Sequence, residues 1–300
     1  MNTKLPLALP DYDQPVAIFS LSKPVPAWVI TLATVRKNLQ VTRRYLPNLA
    51  GSLVEISIRA VFFLLFSRSI SMHGSETNGI EMTGYNLYIF LLGSLVLFIF
   101  TRSTLWGPIN AVTNDLYNGT LEYLYSSPGS RYAYYVGVVI SEIVVSMVVF
   151  VPLFILLVII SRVDLISLGL MLLSCLEVLV SLTAMGIMVA LLALLWRQAG
   201  SIASVLAILF EMLAGAYLPL SAFPQGVRFL SYLLPFTWGY DLLRYYSFHA
   251  RGSTQVWQTI LPVWQEWIVV AVFAVIFTLV SRRLLARAEQ LAKKQGLHML

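Results

Sequence analysis

Six long apolar runs are the feature that most restricts how this chain can fold. Crossing the hydrocarbon core of a bilayer takes about 20 consecutive apolar residues. Only 11% of the residues are charged, whereas soluble domains average about 25%. The sequence therefore predicts an all-α, multi-pass membrane protein with six transmembrane helices. The six runs, some of which need their flanks to reach the required length, are residues 49–70, 87–106, 135–160, 165–196, 202–218 and 262–280.

The part of the chain before the first span divides into two pieces. Residues 1–26 are rich in proline and lack the apolar core of a signal peptide, which indicates a flexible cytosolic leader. Residues 27–45 follow as a basic amphipathic helix, a type that lies in the lipid interface. A soluble helix docked on a partner is the alternative. The apolar stripe of this helix consists of Trp28, Leu32, Val35 and Leu39.

Lysine and arginine are concentrated on one side of the predicted spans. They are frequent in the leader, in the amphipathic helix, beside residues 114–128 and in the basic tail, residues 284–300, and they are sparse in the opposite loops. The positive-inside rule places the richer side in the cytosol. Both termini are therefore expected in the cytosol, and loop 71–83, which contains no Lys or Arg, is expected outside.

A short polar segment, residues 114–128, separates two apolar runs on the cytosolic side. Asn114 and Asp115 suit the N-cap of a helix, and Pro128 would end it. The pattern predicts a capped amphipathic helix at the membrane surface, which a protein outside the membrane could grip. A loop with one helical turn is the alternative. Four apolar residues would share one helical face: Tyr117, Leu121, Leu124 and Tyr125.

Between the fifth and sixth runs lies an external stretch, residues 219–260, that is too apolar for a free loop. Backbone at membrane depth must pack on protein or line a cavity. We expect short re-entrant helices that close the external mouth, steadied by Asp241 and Arg244, which a helix would make neighbours. A loop lying on the headgroups is the alternative. Three prolines keep the stretch from spanning: Pro219, Pro224 and Pro235.

Several charged residues lie inside the apolar runs, where each costs roughly 2.5–3.5 kcal/mol on insertion scales. Glu55 and Arg59 are four residues apart and predict a structural ion pair. Three glutamates suit either a polar transport path or a structural network of hydrogen-bonded carboxyl groups. Glu177, near the middle of its run, is the best single candidate for the path. The three glutamates are Glu142, Glu177 and Glu211.

Motifs for enzymatic chemistry are absent from the sequence. The chain has no G-x-x-x-x-G-K-[ST] loop and therefore no nucleotide engine of its own. Its one cysteine, Cys175, lies in an apolar run and supports neither a disulfide nor a zinc site. A membrane-embedded lipid-modifying enzyme would need catalytic residues clustered at one membrane face, and a secondary transporter or channel would be favoured by inverted repeats. We find neither signal, and we expect no catalytic, metal or cofactor-binding residue and no nucleic-acid partner.

The segment 114–128 resembles the cytosolic coupling helix of ABC-2 type transporter permeases. That family has an acidic residue, three further positions, Gly-Thr-Leu-Glu and then Ser/Thr-Pro; here aspartate replaces the usual glutamate at the first position. The external stretch resembles a second family pattern. The resemblance covers residues 27–283. The matching residues are Asp115, Gly119, Thr120, Leu121, Glu122, Ser127 and Pro128 in the first pattern, and Pro219, Pro224, Arg228, Ser231, Pro235, Asp241 and Arg244 in the second.

The resemblance implies half of an exporter in the plasma (inner) membrane. Two permease chains, identical or different, would form the pathway, and two separate ATP-binding subunits would drive it with ATP and Mg. This chain would then not be an enzyme. Leu124 and the first pattern would contact the ATP-binding subunit, while the second pattern would form an external gate. The cargo would be a drug, a natural product or a lipid; the alternative is a polysaccharide or a lipid-linked glycan.

Overall fold

The computed structural model describes residues 25–69, 76–82, 84–119, 129–195, 199–249 and 257–295. Within them, a 3-10 turn covers Leu220–Ala222, and two short strands, β1 (Glu76–Thr77) and β2 (Ile80–Glu81), form a hairpin. The predicted all-α class is confirmed, with this hairpin as the exception. The helices are α1 (Ala27–Arg44), α2 (Leu46–Ser69), α3 (Gly84–Tyr117), α4 (Arg131–Ser161), α5 (Leu165–Leu195), α6 (Ala199–Leu213), α7 (Gln225–Tyr232), α8 (Pro235–His249) and α9 (Val263–Gln295).

Five of these helices are long and apolar enough to cross a membrane. The central one is α3, which packs against α2, α4, α5, α6 and α8. About 83% of its apolar window is buried inside the chain, against 17% for α2. A large part of α2 is therefore left for lipid or for another surface. The five candidate spans are Leu49–Ser69, Gly84–Asp115, Arg131–Ser161, Leu165–Leu191 and Val263–Arg287.

The predicted fifth span, residues 202–218, is not one continuous helix. The chain turns at Gly215, whose φ of +78° favours glycine. The amide of Ala216 bonds the carbonyl of Glu211 at 3.3 Å, and the amide of Gly215 bonds that of Met212 at 3.2 Å. This pair of bonds is a Schellman motif, which ends a helix. Helix α6 therefore covers 15 residues, about 22 Å at 1.5 Å per residue.

Helix α1 is docked along α4 through small and polar side chains. Thr31 Oγ1 donates to the carbonyl of Ala133 at 3.0 Å, and Asn38 Nδ2 donates to Ser141 Oγ at 2.9 Å. The backbones approach closely because α4 has glycine at position 137, where a Cβ would lie 2.9 Å from the Thr31 carbonyl oxygen. The helix thus has a partner within its own chain.

The apolar stripe predicted on α1 is only partly covered by this docking. Trp28 and Leu32 remain 69% and 62% exposed, while Val35 and Leu39 are half-buried. An exposed Trp and Leu on a basic helix suit the lipid interface, so the docked helix still presents an apolar surface to the bilayer.

Two predicted boundaries are corrected by the lengths of α3 and α9. Asn114 and Asp115 lie in the last turns of α3 and do not cap a new helix. The helix continues past the apolar run because Ile109 and its neighbours pack into a second core with Tyr135. The tail predicted to begin at residue 284 continues α9 as far as Gln295. Most of the leader, residues 1–24, lies outside the described part of the chain.

Candidate functional site

Helix α8 is the buried part of the external stretch and lies between α3, α5 and α9. Asp241 and Arg244 are each only 2% exposed. Contact with α5 is so close that a Cβ at Gly239 would lie 2.3 Å from Val178 Cγ2. This helix is therefore packed inside the protein and is not a loop on the membrane surface.

Arg244 joins α8 to the end of α6 and to α3. Its Nη2 donates to the carbonyls of Gly215 and Ala216 at 2.8 and 3.3 Å and to Ser94 Oγ at 2.7 Å. Its Cζ lies 3.6 Å from the centre of the Phe90 ring. The guanidinium of Arg244 thus binds the carbonyl groups of the turn that ends α6.

Asp241 fastens a different segment, the loop that precedes α9. Its Oδ1 accepts from Trp257 Nε1 at 2.6 Å, and its Oδ2 accepts from the Ile260 amide at 2.8 Å. The fully buried Glu266 lies beside it and accepts from the Leu261 amide at 3.0 Å. Sequence reasoning missed Trp257 and Glu266, because neither lies near Asp241 along the chain. The predicted neighbours on α8 thus hold two separate segments.

Each of the three prolines of the external stretch lies at the start of a helix or of the 3-10 turn, either just before it or as its first residue. Pro219 precedes the 3-10 turn, Pro224 precedes α7, and Pro235 is the first residue of α8, where the missing N–H costs nothing. The guanidinium of Arg228, on α7, links α7 to the 3-10 turn. It donates to three backbone carbonyls, those of Leu220, Ser221 and Phe223, at 2.8–3.2 Å.

The β1–β2 hairpin covers the same end of the molecule. Asn78 and Gly79 have φ values of +50° and +80°, as a type I′ turn requires. The Asn78 carbonyl accepts from the Gln258 amide at 2.8 Å, and Ile80 is buried in the main core. The hairpin, α8 and the loop before α9 therefore form one packed end.

Charged side chains from α2 and α3 meet the end of α6 in a group that we call the polar face, made of Glu55, Arg59, Arg102, Glu211 and Tyr217. Arg102 Nη1 donates to both carboxylate oxygens of Glu55, at 2.8 and 3.0 Å. Arg59 Nη2 lies 3.5 Å from Glu55 Oε1, and Arg59 Nη1 lies 3.5 Å from the Tyr217 hydroxyl. That hydroxyl donates to Glu211 Oε1 at 2.5 Å.

Glu55, Arg59 and Arg102 of this polar face lie within candidate spans but are not buried by the chain. The side chains of Glu55, Arg59 and Arg102 are 40%, 36% and 49% exposed. A charged side chain that faces lipid is costly, and such residues face bundle interiors or wet cavities. The polar face therefore needs water or a second protein surface. Sequence reasoning missed Arg102, although Arg102, like Glu55, is a charged residue inside a long apolar run.

The three intramembrane glutamates occupy different surroundings. Glu211 is 6% exposed and belongs to the polar face. Glu142 packs on Gly107 of α3, where a Cβ would lie 2.4 Å from its Cγ. Glu177 is half-exposed on α5, and its Oε2 is buried without a hydrogen-bond partner. Only Glu211 is joined by hydrogen bonds to the charged residues of α2.

The predicted coupling segment is described only at its beginning. Asp115 is 8% exposed; it accepts a hydrogen bond from the Tyr134 hydroxyl, and its Oδ1 lies 3.8 Å from Lys37 Nζ. Gly119 is exposed with a φ of +65° and open space around it. Asp115 thus fastens the end of α3 to α1 and α4. Seven residues named in the prediction lie outside the described residues: Thr120, Leu121, Glu122, Leu124, Tyr125, Ser127 and Pro128.

Comparison with known proteins gives one finding. A protein-family model described as ABC-2 type transporter matches residues 29–248, which run from α1 to α8 and include the whole polar face. No individual curated protein matches the chain. Among the described residues, no group of three or more His, Cys, Asp or Glu side chains could hold a metal ion.

Proposed function

This chain belongs to the ABC-2 type transporter family, and we propose that it is the permease of an ATP-driven exporter that works as a dimer. Its family and its apolar helices make it a multi-pass membrane protein. In our proposal α6 completes a sixth crossing, both termini face the cytosol, and the protein resides in the plasma (inner) membrane. The Lys and Arg distribution supports this orientation.

The observation that carries the proposal is the half-exposed polar face. Exposed charges at membrane depth are stable only against water or protein. A second permease chain that presents its own α2 and α6 would enclose a hydrated space between the two copies. We propose that this space is the translocation pathway, with Glu211 as its buried carboxyl group.

The surroundings of the polar face favour an amphipathic cargo. Exposed aromatic residues of α2, Phe62 and Phe66, stack on each other one or two turns from Arg59. Charged groups and aromatic rings on the same helix can hold a molecule with polar and apolar parts. We therefore propose a drug, natural product or lipid as the cargo class.

The external end is connected mechanically to this pathway. Arg244 on α8 donates to the turn at Gly215 and Ala216, and the same turn is flanked by Glu211 and Tyr217 of the polar face. A movement of α8 therefore cannot leave the polar face unchanged. We propose that the external stretch is the outer gate, with Asp241 and Arg244 setting its closed position.

Energy would enter from the cytosolic side. We propose that Leu121, Glu122 and Leu124 contact a separate ATP-binding subunit, two copies of which bind ATP and Mg, while this chain binds no cofactor. Asp115 would position the contact by fastening α3 to α4. Membership of the ABC-2 type transporter family supports a separate ATP-binding subunit, and the anchoring of Asp115 supports the position of the contact.

Cysteine cross-linking tests the dimer arrangement. In a Cys175→Ser background, Ile58→Cys places a thiol on the exposed side of α2 beside the polar face, and Ile159→Cys places one on the exposed side of α4. We expect a cross-linked dimer from Ile58→Cys only. Cross-linking through Ile159→Cys with none through Ile58→Cys would contradict the proposed pathway.

Coupling is tested in proteoliposomes that contain the permease and its ATP-binding subunit. Leu121→Asp should uncouple ATP hydrolysis from cargo export while the chain still inserts, because a charge would occupy the proposed apolar contact. Ser126→Asp is the matched control, since it adds the same charge on the side of the predicted helix opposite to the apolar face. Normal transport and normal complex formation in Leu121→Asp would rule out this contact.

A further inference from the structure

A cavity of about 600 Å³ opens where the beginnings of α1 and α4 meet the end of α9. Two arginines, Arg131 and Arg282, line it, and the described residues around it include no acidic side chain. Arg131 is the first residue of one candidate span, and Arg282 lies near the end of another, Val263–Arg287. The cavity therefore lies at the depth of a membrane interface.

One wall of the cavity is polar and offers hydrogen-bond donors. Arg282 places its Cζ 5.1 Å from the centre of the Tyr132 ring, which fixes the direction of the guanidinium. Its side chain is exposed, and no acceptor oxygen of a described residue lies within hydrogen-bond distance of it. The planar guanidinium is suited to bidentate bonds with phosphate oxygens. A positively charged donor is thus held in place and unused.

The lining of the cavity also includes the apolar side chains of Trp28, Val136, Leu285 and Ala286. Leu285 and Ala286 lie one turn from Arg282 on the same face of α9. Trp28 is 69% exposed, and an indole at this depth is typical of the membrane interface. A soluble anion would leave these apolar side chains without a partner, whereas a phosphate that carries acyl chains would contact both them and Arg282.

The cavity is backed by rigid packing. Leu285, which lines the cavity, belongs to a buried cluster together with Tyr134 and Tyr135. Ser130 begins α4 as its N-cap by accepting from the Ala133 amide at 3.3 Å. Because its walls come from well-packed helices, the cavity is largely preformed, as ligand sites usually are.

From this geometry we propose that the cavity binds the phosphate headgroup of an anionic phospholipid. Arg282 contacts the phosphate, Arg131 adds positive charge at the rim, and Trp28 packs on the glycerol backbone and the first acyl carbons. Basic cavities between transmembrane helices bind such headgroups on the cytosolic side, and the proposed topology puts this cavity there. The bound lipid would bridge α1, α4 and α9.

Lipid retention by the full-length permease tests the site without any need for transport. The purified chain is exchanged into mixed micelles with phosphatidylglycerol or phosphatidylcholine of the same acyl chains, and bound lipid is counted by native mass spectrometry. We expect preferential retention of phosphatidylglycerol. Arg282→Gln should weaken it about tenfold, since hydrogen bonds to charged groups contribute at that level.

The matched control is Arg283→Gln, which removes the same charge at the next position of α9, outside the cavity lining. It should change phosphatidylglycerol retention less than twofold. An equal loss in both variants would mean a general surface charge effect and would overturn the proposal. Ala286→Trp, which fills the cavity and keeps both arginines, should also abolish retention; normal retention in that variant would place the lipid elsewhere.

A competition arm separates a lipid headgroup from a free phosphate. Excess glycerol 3-phosphate should leave phosphatidylglycerol bound, because the soluble anion lacks the apolar contacts. Displacement of the lipid by glycerol 3-phosphate at comparable concentration would reassign the cavity to a soluble phosphate compound. Thermal unfolding of each variant verifies that the chain is folded before lipid is counted.

Discussion

Two regions of the molecule contain charged side chains but differ in how those charges are satisfied. One is the polar face; the other is the packed end made of α8, the β1–β2 hairpin and the loop before α9, which we call the outer end after its proposed orientation. At the outer end, Asp241 and Arg244 are 2% exposed and bond to backbone groups and side chains of the same chain. On the polar face, Glu55 and Arg102 bond to each other and remain 40% and 49% exposed. The charges of the outer end are buried among partners of the same chain, although Arg244 Nε makes no hydrogen bond, whereas the charges of the polar face on α2 and α3 remain half-exposed.

This difference indicates which charges the isolated chain needs for its stability. Removing one partner of a buried, hydrogen-bonded charge strongly destabilises a protein. An exposed pair contributes little to the stability of the isolated chain. Variants at the outer end should therefore lower the free energy of unfolding as well as disturb the proposed gate, whereas variants of the polar face should affect transport with little change in stability.

The largest effect is expected from Arg244→Ala. The change leaves the carbonyls of Gly215 and Ala216 without their charged donor and opens a gap over Phe90. We expect the free energy of unfolding to fall by about 3–5 kcal/mol, measured by denaturant titration in micelles. A loss smaller than that of Arg102→Ala would break the comparison.

The packing of the outer end is tested by Gly239→Ala. A Cβ at this position would lie 2.3 Å from Val178 Cγ2, so α8 and α5 must separate. We expect a destabilisation of about 1–3 kcal/mol in the same titration. Gly226→Ala in α7 is the control, because its Cβ would meet nothing within 4 Å and should leave stability unchanged or slightly raised.

The polar face is tested by Arg102→Gln. Its partner Glu55 keeps Arg59, so the free energy of unfolding should change by less than about 1 kcal/mol. Export in proteoliposomes should nevertheless fall clearly, since the charge balance of the proposed pathway is altered. Normal export together with a large loss of stability would show that this pair is structural.

The smallest effect is expected at Asp164, which is outside the spans and fully exposed. A hydrogen bond from Ser167 lowers the pKa of Asp164, and its carboxylate caps the start of α5. Because its folded pKa is depressed, its contribution is present above the ordinary Asp pKa and is lost as the pH falls through the folded value. Asp164→Asn keeps the cap but cannot ionise, so its melting temperature should be less sensitive to acid.

That measurement compares wild type and Asp164→Asn by thermal unfolding at neutral pH and at about pH 3. A matched variant, Asp164→Ala, loses both the charge and the cap and should melt lower at neutral pH. If acid lowered the melting temperatures of wild type and Asp164→Asn equally, the Asp164 carboxyl group would not contribute to the pH dependence of stability.

Periodicity and composition predicted the features that depend on neighbours along the chain. Five of the six predicted spans, helix α1 and the proline-separated helices α7 and α8 follow from local patterns, and the family follows from residues spaced within two short segments. The partners of charged residues were not predictable in this way. Arg102 bonds to Glu55, which lies 47 positions earlier, and only the packing of α2 on α3 brings them together.

The ends of helices were also predicted poorly from the sequence, again because tertiary packing determines them. Asn114 and Asp115 are good N-cap residues, but Asp115 is held by Tyr134 and Lys37 while still inside α3. The predicted fifth span extends too far because residues 214–218 are apolar. The helix ends at the turn around Gly215, which Arg244 holds in place.

The docking of α1 has a consequence for biosynthesis. Thr31 bonds to Ala133, which lies 102 positions later in the chain, so the partner surface of α1 does not exist when α1 leaves the ribosome. Its exposed Trp28 and Leu32 give it a place on the membrane surface in the meantime. Helix α1 can therefore reach its docked position only after α4 has been made, and we expect it to rest on the membrane surface until then.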